Sequence, residues 1–197
     1  MKIQKILIVF FLTTLLLSST VFSNPIEQKN SSDQKEQLSI SYQFSKPTFT
    51  TLTIDEQTYT RISIDNLATM DNPGAPQLPV QGAYILLPPE TQVNDITIDF
   101  KQKISYQLNH PVIPSSTPIP YSQISKNDVA KLKEDNDIYK SEQAYPNQLF
   151  SNIGTYIKNG YKILILNLHP IQYNPLDNTI NFFSELSVSL DLTHELN

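Results

Sequence analysis

The sequence predicts an all-β fold, a two-sheet antiparallel β-sandwich with one short helix or helical turn. Apolar residues alternate with polar ones in several short runs, and clusters of Pro, Asn, Asp and Ser separate these runs. This pattern is typical of a sandwich or barrel, because βαβ units would place helical patterns between the strands. The 197 residues correspond to one domain.

The first 23 residues have the order of a secretory signal peptide. Lys2 and Lys5 precede an apolar stretch at residues 6–17, and small or mildly polar residues follow up to Ser23. The apolar stretch is about 12 residues long, whereas a membrane-spanning helix needs roughly 20. We therefore expect cleavage between Ser23 and Asn24, a secreted protein in the extracellular space or cell envelope, and no membrane partner after cleavage. An uncleaved anchor or an N-terminal core helix is the alternative.

Residues 24–37 are polar, with Ile26 as the only sizeable apolar side chain. Such a segment buries too little apolar surface to order itself, so we expect a flexible leader followed by the domain at residues 38–197. The tripeptide that begins at Asn30 matches the acceptor pattern for N-glycosylation, a pattern that also arises often by chance.

Five strands are predicted before residue 110, each from alternating apolar positions. Thr and Ile are enriched in these runs, as expected for residues that fit a pleated surface. The apolar positions are Leu38, Ile40, Tyr42 and Phe44; Leu52 and Ile54; Ile62 and Ile64; Ile96, Ile98 and Phe100; and Ile104, Tyr106 and Leu108.

The middle of the chain departs from this pattern. Residues 109–122 contain four prolines, which are excluded from central strands, so we expect a long loop or an edge excursion. After them, Ser125-Lys126-Asn127-Asp128 resembles a helix start with a capping side chain. Residues 129–137, including Leu132, are predicted to add one or two exposed helical turns.

The chain ends as β-structure. Tyr161 to Leu168 is a nearly continuous apolar run, which predicts a central strand buried on both faces. Residues 174–178 form a turn, and alternating apolar residues return at 179–183 and 186–192. We expect a terminal hairpin with a second strand behind it.

Composition excludes several classes of function. Without cysteine, the chain has no thiol nucleophile, thiolate zinc site or disulfide. His110, His169 and His194 lack the spacing of metal ligands, and there is no serine-nucleophile or phosphate-binding motif. Asp95 and Asp99 alternate on a strand and are predicted to face water rather than to act as a catalytic pair. We expect no enzyme activity, cofactor or metal.

The charge balance also excludes a general nucleic-acid binder. The net charge is −5, and loss of Lys2 and Lys5 leaves 12 basic and 19 acidic residues, a net charge of −7. A nucleic-acid binder needs a basic face that neutralises phosphates.

Two segments are more specific than generic β sequence. The first runs from Asn72 to Pro79 as N-P-G-A-P-Q-L-P and leads into an apolar strand, and the second is the strand that follows Gly160, with P-I-Q-Y-N-P at its end. Each alone suits any tight turn. Together, in this order, they resemble the propeptide domain of gingipain-type cysteine peptidases over residues 38–192. The residues that carry the match are Gly74, Pro76, Leu78, Pro79, Gln172, Tyr173, Asn174 and Pro175.

This resemblance implies a β-sandwich that lies on a peptidase domain, assists its folding and blocks its substrate cleft until processing. In that family, a basic side chain from a propeptide loop enters the specificity pocket of an Arg- or Lys-cleaving enzyme. The corresponding window, residues 109–133, contains no arginine. Lys126 is the first candidate for this role, followed by Lys131 and Lys133, although each also fits a solvated lysine of a charged helix.

The resemblance leaves the context of the chain open. Gingipain-type precursors continue into a peptidase domain, whereas this sequence stops at Asn197, so we expect a stand-alone relative or the front of a precursor. The partner is accordingly a cysteine peptidase catalytic domain, in cis or in trans, including a host or competitor peptidase. The alternative is a secreted adhesion or carbohydrate-binding module, in which some of the 10 tyrosines stack on sugars.

Overall fold

The structure, a computed structural model, describes residues 36–116 and 132–194, and these contain twelve strands and one short helix. All of them belong to one unit of the chain, Asp33–Asn197. The strands are β1 (Glu36–Gln43), β2 (Thr48–Ile54), β3 (Gln57–Ser63), β4 (Ala68–Thr69), β5 (Pro79–Leu86), β6 (Thr91–Phe100), β7 (Lys103–Gln107), β8 (Phe150–Lys158), β9 (Tyr161–Leu168), β10 (Ile171–Asn174), β11 (Thr179–Phe183) and β12 (Glu185–His194). Helix α1 (Asn136–Tyr139) lies between β7 and β8.

Two antiparallel sheets form the sandwich that the sequence predicts. One has the strand order β1-β12-β6 and the other β4-β5-β9-β8. Alternate residues of β12 are buried, and they pack against the inward residues of β5 and β9. The core between the sheets consists of Ala83, Ile85, Leu87, Leu164, Leu166, Leu168, Phe183, Leu186, Val188, Leu190 and Leu192.

A second core lies beside the first. The small sheet β10-β11-β7 and the hairpin β2-β3 contribute its side chains, together with the segment that follows β7. The buried residues are Ile62, Ile64, Leu78, Leu108, Val112, Ile171, Tyr173, Ile180 and Phe182. The sequence predicted strands β2, β3, β7 and β11 of this part, but neither β10 as a separate strand nor that these strands form a core of their own.

Strand β9 is central, as predicted, because it lies between β5 and β8. The prediction that both of its faces are buried is wrong. Leu164 and the other inward residues are buried, whereas Ile163 and Ile165 on the opposite face are half-buried and Tyr161 is exposed. Continuous apolar runs are typical of strands that are buried on both faces of a sheet. In β9, however, no described element covers the face that carries Tyr161, Ile163 and Ile165.

Strand β8 was not predicted, because a β-bulge disrupts its alternation. The register with β9 shifts between Asn152 and Gly154, so the residues before and after the bulge follow opposite phases. The terminal hairpin is formed by β10 and β11, and β12 then crosses into the other sheet between β1 and β6.

The helical prediction is only partly confirmed. Residues 132–135 have no regular secondary structure, so the expected turns at Leu132 are absent. The helix instead begins at Asn136, because the Asp135 side chain accepts a hydrogen bond from the Asp137 N–H at 2.9 Å and caps it. The proposed helix start at residues 125–128 lies outside the described residues.

Strand β1 begins at Glu36, which pairs with Leu192, so pairing extends slightly beyond the predicted domain start at Leu38. The remainder of the predicted leader, the signal peptide and its cleavage site at Ser23 and Asn24 lie outside the described residues. Over residues 36–116 and 132–194, no helix has the length and hydropathy that crossing a bilayer requires.

Candidate functional site

The G-x-P-x-L-P motif forms a tight turn at residues 72–78. The Ala75 N–H donates to the Asn72 carbonyl at 3.0 Å, which closes the turn. Gly74 has φ +81°, a backbone conformation that glycine adopts without the steric cost of a side chain. Pro76 and Leu78 are buried, so the turn is fastened into the second core.

The Pro-rich segment runs along one side of this turn. Gly74 and Gln77 donate their N–H groups to the carbonyls of Ser115 and Ile113, at 2.8 and 2.9 Å. The Ser115 N–H in turn donates a hydrogen bond to the Ala75 carbonyl at 2.8 Å. Because Val112 and Ile113 are also buried, the described part of this segment is a fixed edge excursion rather than a loose loop.

Residues 133–135 run along the other side of the turn. The Asp135 N–H donates to the Gly74 carbonyl at 2.9 Å. A Cβ atom added to Gly74 would lie 3.2 Å from the Lys133 carbonyl oxygen and 3.3 Å from the Asp135 nitrogen. Gly74 is therefore required both by its positive φ and by the close approach of this segment.

The two ends of residues 116–132 are thus held by one turn. We call this arrangement the loop clamp; it comprises the turn at residues 72–78, the first stem at 113–115 and the second stem at 133–135. The segment between the stems contains Lys126 and Lys131, which lie outside the described residues. The clamp brings together two stems that are far apart in the sequence.

Two tyrosine side chains, Tyr139 and Tyr173, pack next to the loop clamp. Tyr139, at the end of α1, donates its hydroxyl proton to the Val112 carbonyl at 2.6 Å, which joins the helix after the second stem to the residue that precedes the first stem. Its ring contacts the Tyr173 ring with centroids 6.3 Å apart. Burial raises the pKa of Tyr139, and it raises that of Tyr173 to about 12, so both hydroxyls remain protonated donors. The Glu134 charge contributes in the same direction.

We expect Tyr139→Phe to lower the free energy of unfolding by about 1–2 kcal/mol, because the buried Val112 carbonyl loses its side-chain donor. Urea denaturation would measure the change. Tyr145→Phe is the matched control: the Tyr145 hydroxyl accepts from Asn72 at 3.2 Å at an exposed site, so its loss should cost less than about 0.5 kcal/mol. Equal costs for the two variants would show that the Tyr139 hydrogen bond does not hold the clamp.

The Q-Y-N-P residues stabilise the β10–β11 hairpin and the segment beside it. Gln172 donates to the Pro146 carbonyl at 3.0 Å, and the Tyr173 hydroxyl donates to Asn178 Oδ1 at 2.9 Å. The Asn174 side chain donates to Thr179 Oγ1 at 3.3 Å. Pro175 begins the turn, and its carbonyl accepts from the Asn178 N–H at 3.3 Å. All four residues have structural contacts.

Of the three candidate lysines, the structure describes Lys133, which is exposed on the second stem. The sequence analysis did not identify Ser115, Asp135 or Tyr139 as part of the site. One sequence signal for Asp135 was available, the helix cap at Asp135-Asn136-Asp137, but the sequence analysis interpreted these residues as part of a charged helix. No local sequence pattern predicts the hydrogen bonds that Gly74 makes with Ser115 and Asp135.

One pair of side chains has the residue types of a catalytic site. Ser151 Oγ lies 2.8 Å from His169 Nε2, and burial lowers the pKa of His169 to about 4. A catalytic pair of this kind needs a third group that orients the other ring nitrogen, and within the described residues His169 Nδ1 has no hydrogen-bond partner. No group of three or more metal-ligating side chains occurs in the described ranges 36–116 and 132–194. Within the described residues, the Ser151–His169 pair therefore lacks the third group of a catalytic triad.

The fold is a β-sandwich in which one turn holds the two stems at residues 113–115 and 133–135. A family model described as Propeptide_C25 matches residues 19–196, so the chain belongs to this family of gingipain-type propeptides. The family is one of propeptides rather than of catalytic domains. A search of curated proteins finds no match to this chain.

Solved structures show the same fold. One is the complex of Porphyromonas gingivalis RgpB pro- and mature domains, with a TM-score of 0.65, 15% identity, and 80% of this chain and 78% of that chain covered. Another concerns the zymogenic latency of gingipain K from Porphyromonas gingivalis, with a TM-score of 0.60, 17% identity, and 80% of this chain and 86% of that chain covered. The predicted family resemblance and the all-β fold are confirmed.

Proposed function

We propose that this chain is exported, binds a gingipain-type cysteine peptidase, assists its folding and inhibits it by covering the active-site cleft. The observation that carries the proposal is the loop clamp, in which one partly buried turn binds the stems on both sides of the lysine-bearing segment. Family membership supports a cysteine peptidase as the class of partner. The peptidase is reached in cis within a longer precursor or in trans as a separate protein.

The clamp suits inhibition for an entropic reason. A segment with both ends fixed loses less conformational freedom when it enters a cleft, and that saving appears as affinity. Hydrogen bonds from the Gly74 and Asp135 backbones fix the ends, and neither needs a partner protein to form. The binding is noncovalent, because the chain contains no cysteine for a mixed disulfide and brings only a side chain to the pocket.

Lys126 is the residue we propose for the specificity pocket. It lies about seven residues from Lys133, far enough along the chain to reach roughly 20 Å from the second stem. Lys133 is itself part of that stem, with its carbonyl next to Gly74, which keeps it near the base. An ammonium group in an acidic pocket forms a charge-assisted hydrogen bond that favours an Arg- or Lys-cleaving enzyme.

The test is inhibition of a panel of Arg- and Lys-specific cysteine peptidases of the gingipain type by the purified chain. We expect reversible, nanomolar inhibition of at least one member. Lys126→Ala should raise its inhibition constant by roughly 30-fold or more, because it removes one partner of a buried charge pair. Lys131→Ala and Lys133→Ala are matched controls with the same loss of charge and an expected change below about threefold.

Two results would contradict parts of this proposal. Equal effects of the three lysine substitutions would reject Lys126 as the pocket residue while leaving inhibition in place. If no panel member is inhibited by a chain with a β-type circular dichroism spectrum, and the chain does not raise the refolding yield of any denatured panel member, the inhibitory and chaperone functions are both rejected for this enzyme class.

The alternative function is a carbohydrate-binding or adhesion module. The observation in its favour is an open sheet face on which Tyr84, Tyr156 and Tyr161 are 72%, 52% and 61% exposed. Exposed aromatic rings stack on sugar faces. Binding to a glycan array, lost on replacement of Tyr84 and Tyr161 by alanine and accompanied by no peptidase inhibition, would favour this function.

A further inference from the structure

Among the described residues, strand β8 lies at the edge of its sheet and has its one charged side chain at its end. It is the terminal strand of the order β4-β5-β9-β8, and within the described residues only β9 pairs with it. Its nine residues include Ile153, Tyr156 and Ile157, all exposed, and Lys158 is the only charged residue among them. Such an edge is a ready template for another strand.

The other sandwich sheet gives an internal comparison. Its edge strand β6 carries two exposed carboxylates within the strand, Asp95 and Asp99, whereas edge strand β1, like β8, has one charged residue at its end, Glu36. Exposed charges at edge positions oppose strand addition. The larger apolar side chains of β1 are half-buried, whereas Ile153, Tyr156 and Ile157 of β8 are exposed, so β8 combines an edge position with exposed apolar surface.

The bulge restricts where a strand can be added. The register shift between Asn152 and Gly154 twists the first half of β8, whereas Gly154 to Lys158 pair with β9 without interruption. The position of the Tyr156 ring is restricted before any strand is added. The ring lies over Gly154, with Cε2 3.4 Å from where a Cβ on Gly154 would be, and its hydroxyl donates to the Ile153 carbonyl at 3.3 Å. Less side-chain freedom is lost when a placed ring is covered.

We propose that β8 pairs antiparallel with β8 of a second copy of this chain, about a two-fold axis at Tyr156. In this register Tyr156 faces Tyr156 of the second copy, Thr155 faces Ile157, and Gly154 faces Lys158. The two lysines are thereby kept apart and each lies opposite a residue without a side chain. Aromatic and aliphatic pairs occupy the remaining positions, and such cross-strand pairs stabilise antiparallel sheets.

The exposed area suits a weak, reversible dimer. Three large apolar or aromatic side chains are exposed on β8 itself, namely Ile153, Tyr156 and Ile157. At roughly 200 Å² for each full side chain, their exposed surface is about 350 Å², less than half of the roughly 800 Å² per partner of a stable interface. Because the contact is small, we expect dissociation constants of about 10–100 μM. The pairing joins two four-stranded sheets into one and goes beyond the proposed function.

The test uses sedimentation velocity of the full purified chain from 1 to 200 μM, without any peptidase. We expect a concentration-dependent shift from the 22.4 kDa monomer to twice that mass. Tyr156→Lys, which places two ammonium groups opposite each other, should leave a monomer throughout. Tyr84→Lys is the control, because it adds the same charge to the same sheet face on the interior strand β5.

A second measurement does not depend on the stability of the lysine variant. The chain has no cysteine, so a Tyr156→Cys variant offers one thiol per copy. Under mild oxidation it should form a disulfide-linked dimer at least tenfold faster than Tyr84→Cys. A wild-type chain that remains monomeric at 200 μM, or equal cross-linking of the two cysteine variants, would overturn the proposal, and neither result bears on peptidase inhibition.

Discussion

Gly74→Val is expected to lower the free energy of unfolding by about 3–4 kcal/mol and to weaken peptidase inhibition by at least tenfold. Two costs add at this position. Valine is strained at φ +81°, which costs about 1–3 kcal/mol, and its side chain collides with the second stem, which adds about 1–3 kcal/mol. The collision displaces Asp135 from the Gly74 carbonyl and so releases one end of the loop.

Gly160→Val is the matched control for this prediction. Gly160 also has φ +81°, but no atom lies within 4 Å of the position of its Cβ, so the variant carries the strain without the collision. Urea denaturation and the inhibition constant should be measured for both variants. If Gly74→Val costs no more stability than Gly160→Val, the second stem does not depend on the close approach at Gly74. A stability difference without a change in inhibition would separate the clamp from the proposed function.

Acidification from pH 7 to pH 4 is expected to remove about 3 kcal/mol of stability through His169 alone. The side chain is 1% exposed, and burial lowers its pKa from 6.5 to about 4. Above pH 6.5 both the folded and the unfolded protein hold it neutral, and its contribution to stability is complete. Between pH 6.5 and 4 only the unfolded chain gains the proton, so the folded state loses stability as the pH falls.

The measurement is the free energy of unfolding by urea at several pH values from 4 to 8. His169→Gln retains a polar partner for Ser151 but cannot be protonated in this range, so its stability should change less with pH than that of the wild type. His194→Gln, which removes an exposed histidine of β12 and its contact with Glu36, is the comparison variant. Parallel curves for the wild type and His169→Gln would show that this histidine is not held neutral by burial.

Most strands of the fold could be predicted, because the alternation of apolar and polar residues that identifies a strand lies within a few neighbouring residues. Alternation of apolar residues along β12 follows from one buried and one half-buried face, and the strand was predicted on this pattern. β8 was missed because the bulge at Asn152 and Gly154 interrupts the same pattern. The second face of β9 was wrongly predicted to be buried, because burial there depends on whether another element covers the sheet.

The candidate site was predictable only in part. The sequence motif around Gly74 was recognised as a turn and as a family feature, and the lysine window after it was identified. That the turn holds both ends of this window could not be predicted, because Gly74 is bonded to Ser115 and Asp135, which lie far along the chain. In the sequence, Tyr139 and Tyr173 likewise could not be distinguished from ordinary helix and strand residues.

The all-β class and the family of the chain follow from the amino-acid sequence alone, because they depend on composition, periodicity and short motifs. Which residues meet depends on how the sheets pack. Packing placed Gly74 between the two stems, buried His169 beside Ser151 and, within the described residues, left the edge of β8 unpaired. The physical reason is that hydrogen bonds and burial between distant segments arise only when the sheets pack, and no local pattern encodes them.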